Sequence, residues 1–534
     1  MVSWGVLMDK LCGHRAGRGA RFIMLAIGGM LTALTVVLPQ IGLLEWITLI
    51  PAALAILGIM ADENTKLRQA YGYGLFFFMS YYCVIYHWFV TLYPLEFTGM
   101  SRGAAVVVVI AGWFGLSLLQ SLSGGLVFVL LAWVGRSQFV TRFALLKPAL
   151  AGALWGIFEW SQTFFWIGVP WGRLPIGQTQ SLLILRSSAL FGSYFVTFAI
   201  VAVNFLLAMC LMERPKIKLY SLCAGGLVVL QLLLGISATL LYRPAEQDTV
   251  TVAAIQGNIS SSEKWDMMPE DVLDVYEELS LAAAAEGAEL IVWPETAIPI
   301  ALERNPTRVA RMKRIAQSCG ADILIGMFTD DEQGRQQNTL VLFRRDGTIS
   351  EQTYVKRRLV PFGEYVPMRK VIETLIPPLT EVAMLEEDLA PGRDSGLIDW
   401  NGMKLGSLIC FDSIYESETL QSVRDGADLV ILSTNDSWFF DSAAVHMHNA
   451  QASMRAIESG RYIVRAASTG VSSVISPTGK VMAELDALKT GFIVERVSPQ
   501  SMTTLYSVIG NAWIYLMIAF VVFLGGCGVL QKKH

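Results

Sequence analysis

Leu290-Ile291-Val292-Trp293-Pro294-Glu295-Thr296 joins four apolar residues to a proline and then to a carboxylate. Side chains alternate between the two faces of a strand, so a continuously apolar run of this length reads as a strand buried on both faces. The signature recurs at Leu429-Val430-Ile431-Leu432. Working outward, strands are expected at 249–256, 288–293, 321–328, 338–344, 405–410, 427–433, 462–467, 471–475 and 491–497, with helices at about 270–286, 304–318, 415–425 and 444–459. Asp346-Gly347, Asn401-Gly402 and Pro477-Thr478-Gly479 supply turns between them. The pattern predicts an α/β domain of layered sheets and helices. Residues 374–390 interrupt the alternation and read as a long functional arm.

This domain is embedded in a chain of a different kind. The protein has 534 residues, 53% hydrophobic and only 16% charged, with a formal net charge of −4. Its mean hydropathy is +0.49. Such a charge balance offers no basic field for nucleic acid, and the charged fraction falls below the roughly 25% of a soluble globule. Residues 1–245 hold 23 Asp, Glu, Lys or Arg, residues 246–505 hold 61, and residues 506–534 hold only Lys532 and Lys533. We therefore expect a membrane domain at 1–245, a water-exposed domain at 246–505, and a C-terminal transmembrane helix with a short tail at 506–534. Apolar runs at roughly 22–41, 43–60, 71–92, 104–133, 148–168, 188–211, 219–241 and 507–530 give about eight crossings. With a cytoplasmic N-terminus, fourteen basic residues from Lys10 to Lys533 fall inside, against Arg102, Arg173 and Arg186 in the short outer loops. That bias places both termini inside and the 246–505 domain outside.

Seven cysteines include only Cys319 and Cys410 in the polar domain, which is no disulfide framework and no zinc pattern. His446 and His448 are two apart on an expected helix and point to different faces, so no metal site is expected. Three residues carry candidate chemistry. Glu295 closes a buried strand, where poor solvation suits a general base; a loop glutamate paired with an arginine is the plainer alternative. Lys356 precedes Arg357 and Arg358, and alone it reads as part of a solvated face. Cys410 closes Lys404-Leu-Gly-Ser-Leu-Ile-Cys410 and precedes a helix, a corner that suits a nucleophile; alone it reads rather as a buried structural thiol. Together, in the order Glu…Lys…Cys, they supply base, oxyanion partner and nucleophile. Glu159 lies within an apolar segment beside Trp155, Trp160 and Trp166, and is either functional or interfacial.

The motifs Gln256-Gly-Asn-Ile259, Trp293-Pro-Glu-Thr296, Phe362-Gly-Glu-Tyr-Val-Pro367, Ile409-Cys-Phe-Asp412 and Asn435-Asp-Ser-Trp-Phe439 resemble the nitrilase (carbon–nitrogen hydrolase) superfamily. With seven apolar segments before them and one after, the chain resembles the apolipoprotein N-acyltransferase family over nearly its whole length. The resemblance implies an αββα sandwich on a multi-pass helical membrane domain, in the bacterial inner membrane with the catalytic side periplasmic. It implies acyl transfer from a phospholipid, phosphatidylethanolamine foremost, to the N-terminal amine of an S-diacylglyceryl-cysteine apolipoprotein through a Cys thioester. It also implies a monomer with no cofactor and no nucleic-acid partner. Cys410 would be the nucleophile, Glu295 the base and Lys356 the stabiliser of the tetrahedral intermediate, with Trp265 and Glu364 supporting. Two departures stand out. The family's Tyr-Glu after the nucleophile is here Phe411-Asp412, and a basic residue expected after Glu159-Trp160 is replaced by Ser161-Gln162. The alternative is a membrane-tethered nitrilase-type amidase acting on a small extracytoplasmic substrate; a transporter with an outer domain would require more charges within the crossings.

Overall fold

The computed structural model describes residues 17–95, 100–244, 248–261, 263, 267–375 and 387–531. Trp265 and most of the expected arm at 374–390 lie outside them. The chain divides into two compact units, Met1–Val90 with Val106–Leu241 and Ile509–His534, and Thr91–Ala105 with Tyr242–Val508. The segment 91–105, expected within the membrane domain, therefore groups with the second unit.

The described residues of the second unit form twelve strands: β1 (Val250–Gln256), β2 (Leu290–Val292), β3 (Asp322–Asp330), β4 (Gln336–Phe343), β5 (Ile349–Val355), β6 (Ile398–Trp400), β7 (Met403–Ile409), β8 (Leu429–Thr434), β9 (Ile463–Ala467), β10 (Ser472–Ile475), β11 (Val481–Leu485) and β12 (Gly491–Val497). They form two six-stranded sheets, ordered β12-β1-β2-β3-β4-β5 and β11-β10-β9-β8-β7-β6. The inner strands β1, β2 and β3 run parallel, as do β7, β8 and β9. Alternation within each apolar strand separates three cores. Val252, Ala254, Leu290, Val292 and Leu324 of one sheet meet Leu405, Ile409, Leu429, Ile431 and Val464 of the other. Ala253, Ile255, Ile291, Trp293 and Ile323 point outward, against Val272, Leu273 and Tyr276 of helix Pro269–Ala285 and Met312 and Ile315 of helix Pro306–Cys319. On the far side Leu408, Val430 and Leu432 pack on Ala452 and Ala456 of helix Ala443–Ser459. The result is the αββα sandwich.

Three strands carry no clear sequence signal: β5, β6 and β11. All three are sheet edges, where one strand side lacks a partner and alternating exposure dilutes the apolar run. In β11, Met482 and Glu484 are exposed and the intervening residues only half-buried.

The first unit is helical. Among the described residues, six helical stretches are long and apolar enough to cross a membrane: Arg18–Val37, Pro39–Ala61, Arg102–Gly135, Ser193–Met212, Arg214–Leu241 and Ala512–Gln531. The other two expected crossings exist as helices of lesser span. Leu67–Ile85 carries Arg68, Gln69 and four tyrosines, and Leu146–Ser161 is 16 residues long. Buried polar groups hold this unit together. Glu159 Oε1 accepts from the backbone N–H of Leu174 at 2.9 Å and Oε2 from Thr197 Oγ1 at 2.5 Å. It braces the irregular chain after Ser161, which is a structural use of an intramembrane acid. Glu45, a second buried acid within the apolar runs, accepts from Gln178 Nε2 at 2.6 Å, and Gln178 Oε1 in turn accepts from Trp46 Nε1.

Candidate active site

The three sequence-derived residues each follow a strand. Glu295 lies three residues past β2, Lys356 directly follows β5, and Cys410 directly follows β7. Gly326 on β3 lets the Glu295 segment pass close, since a Cβ there would sit 2.4 Å from the Pro294 carbonyl oxygen.

Lys356 joins two carboxylates. Its Nζ lies 2.9 Å from Glu295 Oε1 and 2.8 Å from Glu364 Oε2. Asn338 on β4 spans the same pair, donating from Nδ2 to Glu295 Oε1 at 2.8 Å and to Glu364 Oε1 at 2.9 Å. The backbone N–H of Asn435 donates to Glu295 Oε2 at 2.9 Å, and that of Val360 to Glu364 Oε2 at 2.9 Å. Lys356 is 1% exposed and Glu295 5%. Burial works against the ammonium, but the Glu295 and Glu364 carboxylates outweigh it and hold Lys356 well above the usual lysine range. Lys356 is therefore a fixed cation and Glu295 its fixed acceptor.

Cys410 has φ +47°, a left-handed conformation that a non-glycine residue adopts at a cost of about 1–3 kcal/mol. Thr296 (φ +43°) and Phe362 (φ +63°) share it, one beside Glu295 and one two residues before Glu364. Such outliers persist only where the surroundings over-determine them. Burial pushes the Cys410 thiol well above its usual range and Glu295 pushes it further, while Lys356 draws it back. The resting sulfur is a thiol, and a base must take its proton as it reacts.

Asp412 is fully buried beneath this corner. Oδ2 accepts from Tyr354 OH at 2.7 Å and from the Ile409 N–H at 3.0 Å, and Oδ1 from the Arg358 N–H at 2.7 Å. Burial raises its carboxyl to about 6, against the pull of Lys356 and the Tyr354 hydroxyl. Asp412 thus ties the ends of β5 and β7, which carry Lys356 and Cys410. Phe411 makes an edge-to-face contact with Tyr415, ring centroids 5.4 Å apart. Glu295, Lys356, Glu364 and Asp412 thus join one hydrogen-bonded and charged neighbourhood at Cys410.

Sequence reasoning missed Asn338 and Tyr354, and it named Asn435 within a motif without a role. Asn338 and Tyr354 sit inside strands, where nothing marks one polar residue as aimed at a site. Asn435 acts through its backbone, which any residue carries. Gln256, within a motif, serves the scaffold: Nε2 donates to the Asp486 and Lys489 carbonyls at 2.8 Å each.

The family model described as Carbon-nitrogen hydrolase matches residues 251–506, the sandwich with its strand-end cluster. The model described as Apolipoprotein N-acyltransferase N-terminal domain matches residues 28–206. Three curated relatives bear the name Apolipoprotein N-acyltransferase. The protein of Methylococcus capsulatus is 30% identical, covering 84% of this chain and 85% of its own. That of Azotobacter vinelandii is 32% identical, covering 79% and 81%. That of Geobacter metallireducens is 27% identical and covers 96% of both chains. Among solved structures, a mutant of Nesterenkonia AN1 amidase from the nitrilase superfamily is 20% identical, with a TM-score of 0.38 over 50% of this chain and 96% of that one. The chain belongs to the apolipoprotein N-acyltransferase family.

Proposed function

We propose that this bacterial membrane protein moves an acyl chain from a phospholipid to the N-terminal amine of a diacylglyceryl-cysteine lipoprotein, through a thioester on Cys410. The observation that carries the reading is the union, in one chain, of the Glu295–Lys356–Cys410 cluster with apolar helices that match the family's N-terminal domain. A hydrolase acting on a dissolved amide needs no such helices, whereas a phospholipid acyl donor stays in the bilayer.

In the first half-reaction the Cys410 sulfur attacks the ester carbonyl of the phospholipid while its proton passes to Glu295. The carbonyl oxygen becomes an oxyanion that the Lys356 ammonium stabilises. Collapse breaks the bond to the glycerol oxygen, which takes the proton from Glu295 and leaves as lyso-phospholipid. In the second half the lipoprotein amine attacks the thioester, Glu295 accepts an amine proton, and the C–S bond breaks. The sulfur recovers its proton and the amide departs. Glu364 and Asn338 keep Lys356 and Glu295 in register throughout. Two bulky substrates use one nucleophile in turn, so the kinetics are ping-pong.

Phosphatidylethanolamine is the proposed donor and the monomer the working unit. The 246–505 domain is proposed to lie on the periplasmic side. The basic bias supports that side, and the number of crossings does not disturb it: five or seven spans before Tyr242 are both odd. The test is a transfer assay with labelled phosphatidylethanolamine and a diacylated lipopeptide, set against hydrolysis of small amides. Label on the lipopeptide amine is expected. Amide hydrolysis with no transfer would favour the tethered amidase instead.

A further inference from the structure

His448 takes no part in the reaction just described, yet it is buried to 1% exposure directly behind Cys410. Its neighbour His446 is exposed and pairs with Asp441 at 3.0 Å, so the two histidines face apart. His448 Nδ1 lies 2.8 Å from Asp436 Oδ1, and Asp436 Oδ2 accepts from Arg465 Nη2 at 2.5 Å. Arg465 Nη2 also lies 3.3 Å from Nδ1. Asp436 and Arg465 are both fully buried. The backbone folds tightly round the carboxylate: a Cβ on Gly470 would stand 2.4 Å from Asp436 Oδ2. On its other side His448 Nε2 is 2.9 Å from Ser413 Oγ and 3.3 Å from the carbonyl oxygen of Cys410, while Ser413 Oγ donates to that same carbonyl at 2.7 Å.

Burial would raise the Asp436 carboxyl, but Arg465 and His448 outweigh burial and hold it well below the usual range, so it accepts from Nδ1–H. Ser413 has one hydroxyl proton, which goes to the Cys410 carbonyl, and its oxygen lies 2.9 Å from His448 Nε2. The carbonyl of Cys410 and the N–H of Phe411 belong to one planar peptide and point in opposite directions. Whatever holds the carbonyl therefore sets where that N–H points. The N–H of the residue after a nucleophile at a strand–helix corner is a common oxyanion donor.

We propose that His448, fixed by Asp436 and Arg465, is a positioning residue that acts through Ser413 on the Cys410–Phe411 peptide and so aims a backbone donor at the developing oxyanion. The inference rests on Cys410 being the nucleophile. It accounts for a buried charged cluster that the thioester chemistry leaves unused.

The experiment compares Ser413→Ala, His448→Ala and His448→Gln in the full-length protein. Single-turnover release of lyso-phospholipid from phosphatidylethanolamine micelles is read per folded molecule. So is the rate at which iodoacetamide alkylates Cys410. Ser413→Ala deletes one hydroxyl and leaves no charge unpaired, so it keeps the test valid if His448→Ala folds poorly. Both alanine variants are expected to slow acylation by about 10–100-fold, a loss in kcat with KM for phospholipid within about twofold. His448→Gln places an amide group, able to donate or accept, near the Nε2 position and is expected to restore most of the rate. If acylation and alkylation per folded molecule matched the wild type in Ser413→Ala and in whatever His448→Ala folded, with only the melting temperature lowered, the cluster would be merely structural and the inference wrong. Cys410→Ala serves as the control: release of lyso-phospholipid by that variant would overturn the nucleophile assignment itself, a failure separable from that of the histidine.

Discussion

Asp412 stands where relatives of this family were expected to carry a glutamate, and it receives three hydrogen bonds. Asp412→Ala would leave a buried tyrosine hydroxyl and two backbone N–H groups without an acceptor, each costing about 1–3 kcal/mol. Phe411→Leu loses ring contact alone. Acyl transfer should therefore fall at least about tenfold in Asp412→Ala and far less in Phe411→Leu; equal mild effects would separate Asp412 from the site. The thiol offers a second check at this scale. Burial and Glu295 hold Cys410 protonated at rest, so its reactive thiolate grows about tenfold for each unit of rising pH below its own pKa. Alkylation of the unliganded protein should climb through pH 6–9 without levelling. A plateau near neutrality would mean a standing Lys356–thiolate pair.

At the scale of elements, the site depends on how closely three strand ends approach. Gly326→Ala drives a Cβ into the Pro294 carbonyl. It should cost about 1–3 kcal/mol, as overpacking does, and should lower activity beyond the loss of folded protein because Glu295 shifts with its backbone. Chemical denaturation together with the transfer assay separates the two effects. Asp436→Asn leaves the fully buried Arg465 without its carboxylate, a loss of about 3–5 kcal/mol in unfolding free energy by the same measurement. The sequence made the inner strands plain because burial on both faces leaves an unbroken apolar run. It left β5 faint although Lys356 follows it, since an edge strand shows only half a signal. Glu295, Lys356 and Cys410 were legible as candidates through order and flanking motifs, and the structure joins Lys356 to Glu295. Asp436, His448 and Arg465 were not legible as a cluster, because they come from a loop, a helix and a strand that only the folded sandwich brings together.

At the scale of the whole molecule, charge density marks off residues 246–505 from the apolar sequence on either side, but it gives no sign that 91–105 groups with them. The count of crossings was less legible, because Leu67–Ile85 and Leu146–Ser161 bury tyrosines or fall short in length while still reading as apolar runs. A cysteine introduced at Arg335, in the turn between β3 and β4, should be labelled from the outer side of intact cells. Labelling only after the cytoplasmic face is opened would reverse the topology. The most direct measurement of the thioester is the intact mass of the purified full-length protein after incubation with phosphatidylethanolamine and no lipoprotein. The expected result is a gain of one acyl chain on Cys410, removed by hydroxylamine, absent from Cys410→Ser and retained by Cys319→Ser. Release of lyso-phospholipid at the normal rate by Cys410→Ser, or an adduct that resides on Cys319, would refute the mechanism.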